Sequence, residues 1–250
     1  MPRLAADRRV VGVAAAGSYA RDAMDAFSDI DLILACEPAD FNALLQDRAA
    51  LAAQLGRLVA AFTGEHVGEP RLMICLYGSP ALHVDIKVVA LPDLAVRVEE
   101  PVVLWERDER MRAALAMGEA AWPRPDAQWI EDRFWVWVHY GALKIARGEL
   151  QEAFDFLSYL RVSVLGPLGL SALGADPAGV RRVEAYPELA RQLADTVGTL
   201  DQRSLAQSLA KAVAAYRRLR PASVDMRQEA ETVAMDFLED ISRGRGLPNV

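Results

Sequence analysis

Gly17–Asp31 reads GSYARDAMDAFSDID, and this stretch decides the reading of the chain. It follows the apolar run Val10–Ala16 and leads into a second apolar segment, Ser28–Cys36, SDIDLILAC. If the second segment is a strand, side chains alternate between faces, so Asp29 and Asp31 project the same way. Two carboxylates about 7 Å apart along a strand can converge on one hard cation. Just upstream, a turn at Gly17-Ser18 can aim backbone N–H groups at a phosphate, because glycine lets another group approach the chain closely. A phosphate loop beside a cation site suggests a nucleotide.

A third acid strengthens the pattern. Ala81–Ala90, ALHVDIKVVA, alternates in the manner of a strand, and Asp85 is its acid. His83, Asp85 and Lys87 share one face. Beside the Asp29/Asp31 strand, Asp85 would complete a cluster of three carboxylates. Like charges 4 Å apart repel by roughly 4 kcal/mol at an effective dielectric near 20, so such a cluster takes up protons or cations. Mg²⁺ held by carboxylates and substrate phosphates meets that need.

These segments, GSYAR…SDIDL and then HVDIKVV, resemble the nucleotidyltransferase superfamily related to DNA polymerase β. Within it the chain is similar to the small antibiotic nucleotidyltransferases, which adenylylate aminoglycosides and lincosamides. The spacing that carries the resemblance is Gly-Ser, ten residues, Asp-x-Asp, and an isolated strand aspartate about fifty residues later. It covers roughly the first 90 residues. The resemblance implies that Gly17 and Ser18 hold the β- and γ-phosphates, that Asp29 and Asp31 bind Mg²⁺, in a pair of ions, and that Asp85 is the third carboxylate. Many such chains carry glycine after the arginine, where this one has Asp22, read here as a turn variation that leaves the metal site intact.

Other candidates carry two readings each. Arg21 reaches a phosphate if Ser18–Met24 is helical, or is a surface arginine. Lys87 touches phosphate or neutralises the acid cluster; His83 is structural or catalytic. In Asp126–Arg147, Arg133, Trp137, Tyr140 and Lys144 fall on one helical stripe. Lys144 either meets the triphosphate, as the resemblance implies for a lysine of the helical domain, or snorkels with its stem on Trp137. Trp135 and Trp137 are core or a substrate platform. The base for an acceptor hydroxyl is Asp85, Glu131, Asp132 or Glu149, and the sequence does not choose among them.

The 250 residues, 52% hydrophobic and 25% charged, give room for two domains with sizeable cores. A net charge of −7 leaves no basic footprint for nucleic acid and favours cationic small molecules. The cysteines, Cys36 and Cys75, sit in apolar runs and read as buried thiols of a reducing cytoplasm. Arg8-Arg9 before VVGVAAAGSYA imitates a leader peptide, but the apolar part is short and ends in the phosphate signature. No run of about 18 apolar residues predicts a membrane span, so the expected location is the cytoplasm.

The expected architecture is α+β or α/β: a nucleotidyltransferase domain with a mixed β-sheet and flanking helices over 1–104, then an all-α bundle that binds substrate over 105–250. Strands are predicted at Val10–Ala16, Asp29–Cys36, Arg71–Tyr77, Leu82–Ala90 and Ala95–Val98. A helix is predicted over Phe41–Phe62 on its Ala/Leu/Arg/Gln content, with Asp40 as N-cap. Further helices are expected at Glu106–Met117, Asp126–Arg147, Leu150–Leu165, Pro177–Ala185, Glu188–Thr196, Gln202–Arg218 and Val224–Ser242. The activity implied is transfer of a nucleoside monophosphate, AMP from ATP, to a hydroxylated small molecule with release of pyrophosphate. The alternatives are modification of a protein or RNA, and a nucleotide-binding module without catalysis.

Overall fold

A computed structural model describes residues 1–243. Two compact units divide between Ala121 and Trp122.

The first unit is built on a mixed sheet of six strands. They are β1 (Val10–Ala15), β2 (Ile30–Cys36), β3 (Leu58–Gly64), β4 (Glu69–Tyr77), β5 (Leu82–Ala90) and β6 (Val102–Glu106), in the spatial order β3-β4-β5-β2-β1-β6. Only β2 and β5 run parallel; the other neighbours are antiparallel. Helices α1 (Pro2–Ala6), α2 (Gly17–Ala20), α3 (Pro38–Leu55) and α4 (Arg110–Leu115) complete the unit with two short 3₁₀ turns.

Around β1 and the end of β2 both faces of the sheet are covered, so Val10–Ala15 and Leu32–Cys36 read as apolar runs. On one face Leu44, Leu51 and Ala52 of α3 and Leu4 of α1 pack on Val13, Leu34, Ile86 and Val88. On the other, Leu94, Met111 and Leu115 pack on Val11, Ala14, Ala35 and Val89. Every residue of β1 is consequently buried. Cys36 and Cys75 are buried and unpaired, and loss of solvation pushes the Cys36 thiol up to about 11.

Several segments differ from expectation. The helix over Phe41–Phe62 begins at Pro38 and stops at Leu55; Gly56 breaks it, and Leu58–Gly64 joins the sheet as an edge strand along β4. Val59 and Phe62 on that edge are exposed. Ala95–Val98 is not a strand: a 3₁₀ turn ends at Ala95, and Arg97 makes an isolated bridge to Ala120. The sixth strand is Val102–Glu106, pairing with β1. The domain break expected after residue 104 falls inside this strand, and Glu106–Met117 contracts to α4.

The second unit is helical: α5 (Ala127–Ala146), α6 (Leu150–Leu160), α7 (Gly166–Ala172), α8 (Pro187–Ala194), α9 (Gln202–Leu219) and α10 (Gln228–Ser242). Asp126 caps α5 by accepting the Trp129 N–H, and Asp201 caps α9 through Ser204 N–H. The break expected over Gly166–Pro177 begins only after Ala172, because the helix expected to end at Leu165 runs on. Pro167 has no N–H to continue the ladder, and the chain passes it through a π-turn, Arg161–Leu165, straight into α7. Of Pro177–Ala185 only Val183–Ala185 forms a 3₁₀ turn. Trp135 belongs to the core, with Phe134 stacked on Tyr216 at 3.7 Å between ring centres. No helix among the described residues is long and apolar enough to cross a membrane.

Candidate functional site

The candidate site lies in the first unit, where β1 ends and β2 begins. Gly17 follows β1 with φ of +60°, a left-handed conformation that glycine adopts without strain. Space imposes the same residue. A Cβ built on Gly17 would stand 1.9 Å from Oδ2 of Asp31. The Asp31 carboxylate therefore lies against the glycine backbone, and the Ala16 N–H donates to the Asp31 carbonyl at 3.0 Å, tying turn to strand. Ser18 is 7% exposed, and its buried Oγ has no hydrogen-bonding partner among the described residues. A buried hydroxyl without a partner is uncommon, and here it sits beside the proposed phosphate loop.

Asp85 comes to this place through the parallel pairing of β2 with β5. Asp31 and Asp85 are register partners, so they stand on adjacent strands about 4.8 Å apart and share a face. His83 holds Asp85, with Nε2 2.8 Å from Oδ1. Asp29, expected within the strand, precedes β2 and is exposed. Ser28 turns back to Asp25, whose carboxylate also accepts the Phe27 N–H at 2.8 Å and is held below its usual range by that bond. Among the described residues, no three groups of the His, Cys, Asp or Glu type close on a metal by themselves. Mg²⁺ commonly takes one or two protein carboxylates and completes its shell with substrate phosphates and water, and the Asp31/Asp85 pair suits that donor set.

The basic candidates are engaged by acids. Arg21 caps the four-residue helix α2, so Ser18–Met24 is not helical throughout, and donates to Glu99 Oε2 at 2.6 Å. Glu99 Oε1 accepts the Gly17 N–H at 3.0 Å. Nothing in the spacing of the motif marks Glu99; its one signal is an acidic pair, Glu99-Glu100, ahead of Pro101. Lys87 turns to Glu69 at 2.7 Å, and Arg71 meets the same carboxylate at 2.7 Å. These contacts hold Glu69 well below the usual carboxylate range, at about 2, with the Arg71 hydrogen bond the largest cause. In the helical unit Lys144 lies 5.2 Å from the centre of the Tyr140 ring and is paired with Glu149 at 2.7 Å and Glu152 at 3.0 Å. Trp137 packs edge-on against Trp129 and Tyr159.

Two rivals for the general base are likewise committed. Glu131 is fully buried and accepts from Tyr216 OH at 2.5 Å, Trp135 Nε1 at 3.0 Å and the Arg227 N–H at 3.0 Å, with Arg220 at 3.3 Å. Burial alone would raise its carboxyl, but the hydrogen bonds and the arginine outweigh it and the net direction is down. Asp132 is held by Gln128 and Arg227.

No family model matches this chain, and no curated protein does. Among solved structures it is similar to an aminoglycoside 6-adenyltransferase from Bacillus subtilis, at 14% identity, TM-score 0.36, over 97% of this chain and 92% of the other. A nucleotidyltransferase-like protein from Exiguobacterium sibiricum 255-15 is similar at 14% identity, TM-score 0.38, over 99% of this chain and 79% of the other.

Proposed function

We propose that the protein is a nucleotidyltransferase that moves a nucleoside monophosphate, AMP from ATP, to a hydroxyl of a small molecule and releases pyrophosphate. The observation that carries this reading is the register pairing of Asp31 with Asp85 beside a glycine that no other residue can replace without moving Asp31. Asp31 and Asp85, with Asp29 just ahead of the strand, would hold Mg²⁺, which would supply charge stabilisation at the transferring phosphoryl group.

The roles of the chain's own groups follow from chemistry. The Gly17 N–H, the Ser18 hydroxyl and the Arg21 guanidinium are donors suited to the outer phosphates, fixing the leaving group relative to the acceptor. His83 orients the Asp85 carboxylate, the group best placed to take the acceptor's proton. A net charge of −7 favours a cationic acceptor, and an aminoglycoside-like or lincosamide-like antibiotic fits that description.

The test is pyrophosphate release from Mg-NTPs in the presence of a panel of aminoglycosides and lincosamides. Asp29→Asn, Asp31→Asn and Asp85→Asn are each expected to remove most of the turnover. Full activity in Asp31→Asn or Asp85→Asn would overturn the assignment. Nucleotide binding that persists without any product, indifferent to Asp85→Asn, would leave a binding module instead.

A further inference from the structure

The acid that meets Gly17 and Arg21 is not part of the Gly-Ser and Asp-x-Asp motif. Glu99 uses both carboxylate oxygens there, Oε1 on the Gly17 N–H at 3.0 Å and Oε2 on Arg21 Nη1 at 2.6 Å. Those are two of the three donors assigned above to the outer phosphates. The third, the Ser18 hydroxyl, is a buried group that Glu99 does not reach and that has no partner among the described residues. A carboxylate and a phosphate oxygen pair make the same demand on such donors: two acceptor atoms and negative charge.

The surroundings decide how Glu99 could leave. Its backbone is fixed on either side. Arg97 donates to the Leu94 carbonyl at 3.1 Å and the Gly118 carbonyl at 2.8 Å, and pairs with Glu100. Glu100 in turn accepts the Ala120 N–H at 3.1 Å. The segment is pinned, whereas the Glu99 side chain is 29% exposed and Arg21 is 40% exposed. Rotation of one side chain into water is sufficient to clear the donors, and an ion pair this accessible is weak enough to yield.

We infer that Glu99 is an internal competitor for the polyphosphate site, occupying the Gly17 amide and Arg21 until a more highly charged ligand displaces it. The inference rests on the reading of Gly17, Ser18 and Arg21 as phosphate donors. Its consequence is selectivity. One carboxylate is outbid by a tri- or pyrophosphate, while a ligand carrying a single phosphate gains little over the resident acid.

Inorganic tripolyphosphate without added metal isolates the effect from the Asp31/Asp85 pair, and its affinity is read by calorimetry on the full chain. Glu99→Ala should bind it about tenfold more tightly than the unaltered protein, the size expected for release of one charge-assisted pair. Glu99→Gln should fall between the two. Glu100→Gln removes the same charge one residue away without opening the donors, and should change affinity less than twofold. Unaltered affinity in Glu99→Ala, or an equal gain in Glu100→Gln, overturns the inference while leaving the phosphate site in place. If tripolyphosphate binds neither the unaltered protein nor a folded Glu99→Ala, the phosphate-site reading itself fails, and the inference with it. An NMR titration of the unaltered chain decides the matter even if the variants misfold. Tripolyphosphate should shift the Gly17 amide, the Arg21 side-chain N–H and the Glu99 carboxyl together. A Glu99 carboxyl that stays still while Gly17 moves overturns the competition.

Discussion

Gly17 and Asp22 show how much a single backbone angle can require. Gly17 combines φ of +60° with a Cβ position already filled by Asp31 Oδ2. Gly17→Ala therefore meets two obstacles, left-handed strain of roughly 1–2 kcal/mol and a displaced carboxylate. We expect the urea midpoint to fall accordingly and pyrophosphate release to drop more than tenfold, since a shift of about 1 Å in a reacting group has effects of that order. Asp22 adopts φ of +52°, a left-handed angle that glycine takes without strain. Aspartate tolerates the left-handed region and β-branched residues do not. Asp22→Gly should leave stability within about 0.5 kcal/mol, whereas Asp22→Val should cost about 1–2 kcal/mol in the same denaturation. Glu99 marks the limit of reading at this scale: its partners lie 82 and 78 residues back in the chain, a distance no local motif bridges.

Among the elements, those that carry strong local signals were legible and those made by pairing were not. β2 and β5 have alternating or apolar strand patterns, and both stand where the sequence puts them, apart from the first residue of β2. β3 reads as helix because Leu-Val-Ala-Ala-Phe continues an alanine-rich run; its hydrogen bonds to β4 override that preference, which is worth only tenths of a kcal/mol per residue. β6 was hidden by the change of composition after Pro101, yet its partner is β1, nearly a hundred residues earlier. The β4–β5 pair also carries a pH-dependent contact. Glu69 titrates at about 2 against an ordinary 4.5, so its stabilising effect is complete above pH 4.5 and is lost as the pH falls towards 2. Melting temperatures of the unaltered protein and Glu69→Gln should differ at pH 6 and converge between pH 4.5 and 2. A gap that persists at pH 2 would contradict the assignment to this carboxylate.

At the level of the whole molecule, each unit has its own core, and the tryptophans report on one of them. Trp122, Trp129, Trp135 and Trp137 lie in the helical unit and only Trp105 in the sheet unit, so fluorescence follows chiefly the helices. Within that unit, the buried Glu131 network joins α5, α9 and the start of α10 through Tyr216, Trp135, Arg220 and Arg227. Glu131→Leu strands an indole N–H, a phenol and a backbone N–H at once, and should lower the stability seen by tryptophan fluorescence by about 3–5 kcal/mol. The same change should leave the binding of tripolyphosphate untouched. The helical composition of this half was legible; the role of Glu131 was not, because nothing in its sequence separates a buried acid from a catalytic one.

The free margin of the sheet has a practical consequence. Along β3, Val59 and Phe62 are 58% and 55% exposed, on a strand that ends the sheet among the described residues. Such a rim is a template for stacking one molecule on the next, so concentrated stocks should cloud on standing. Val59→Lys should keep light scattering flat under the same storage, as a charge on the rim repels the incoming strand. Clouding at an unchanged rate would place the sticky surface elsewhere.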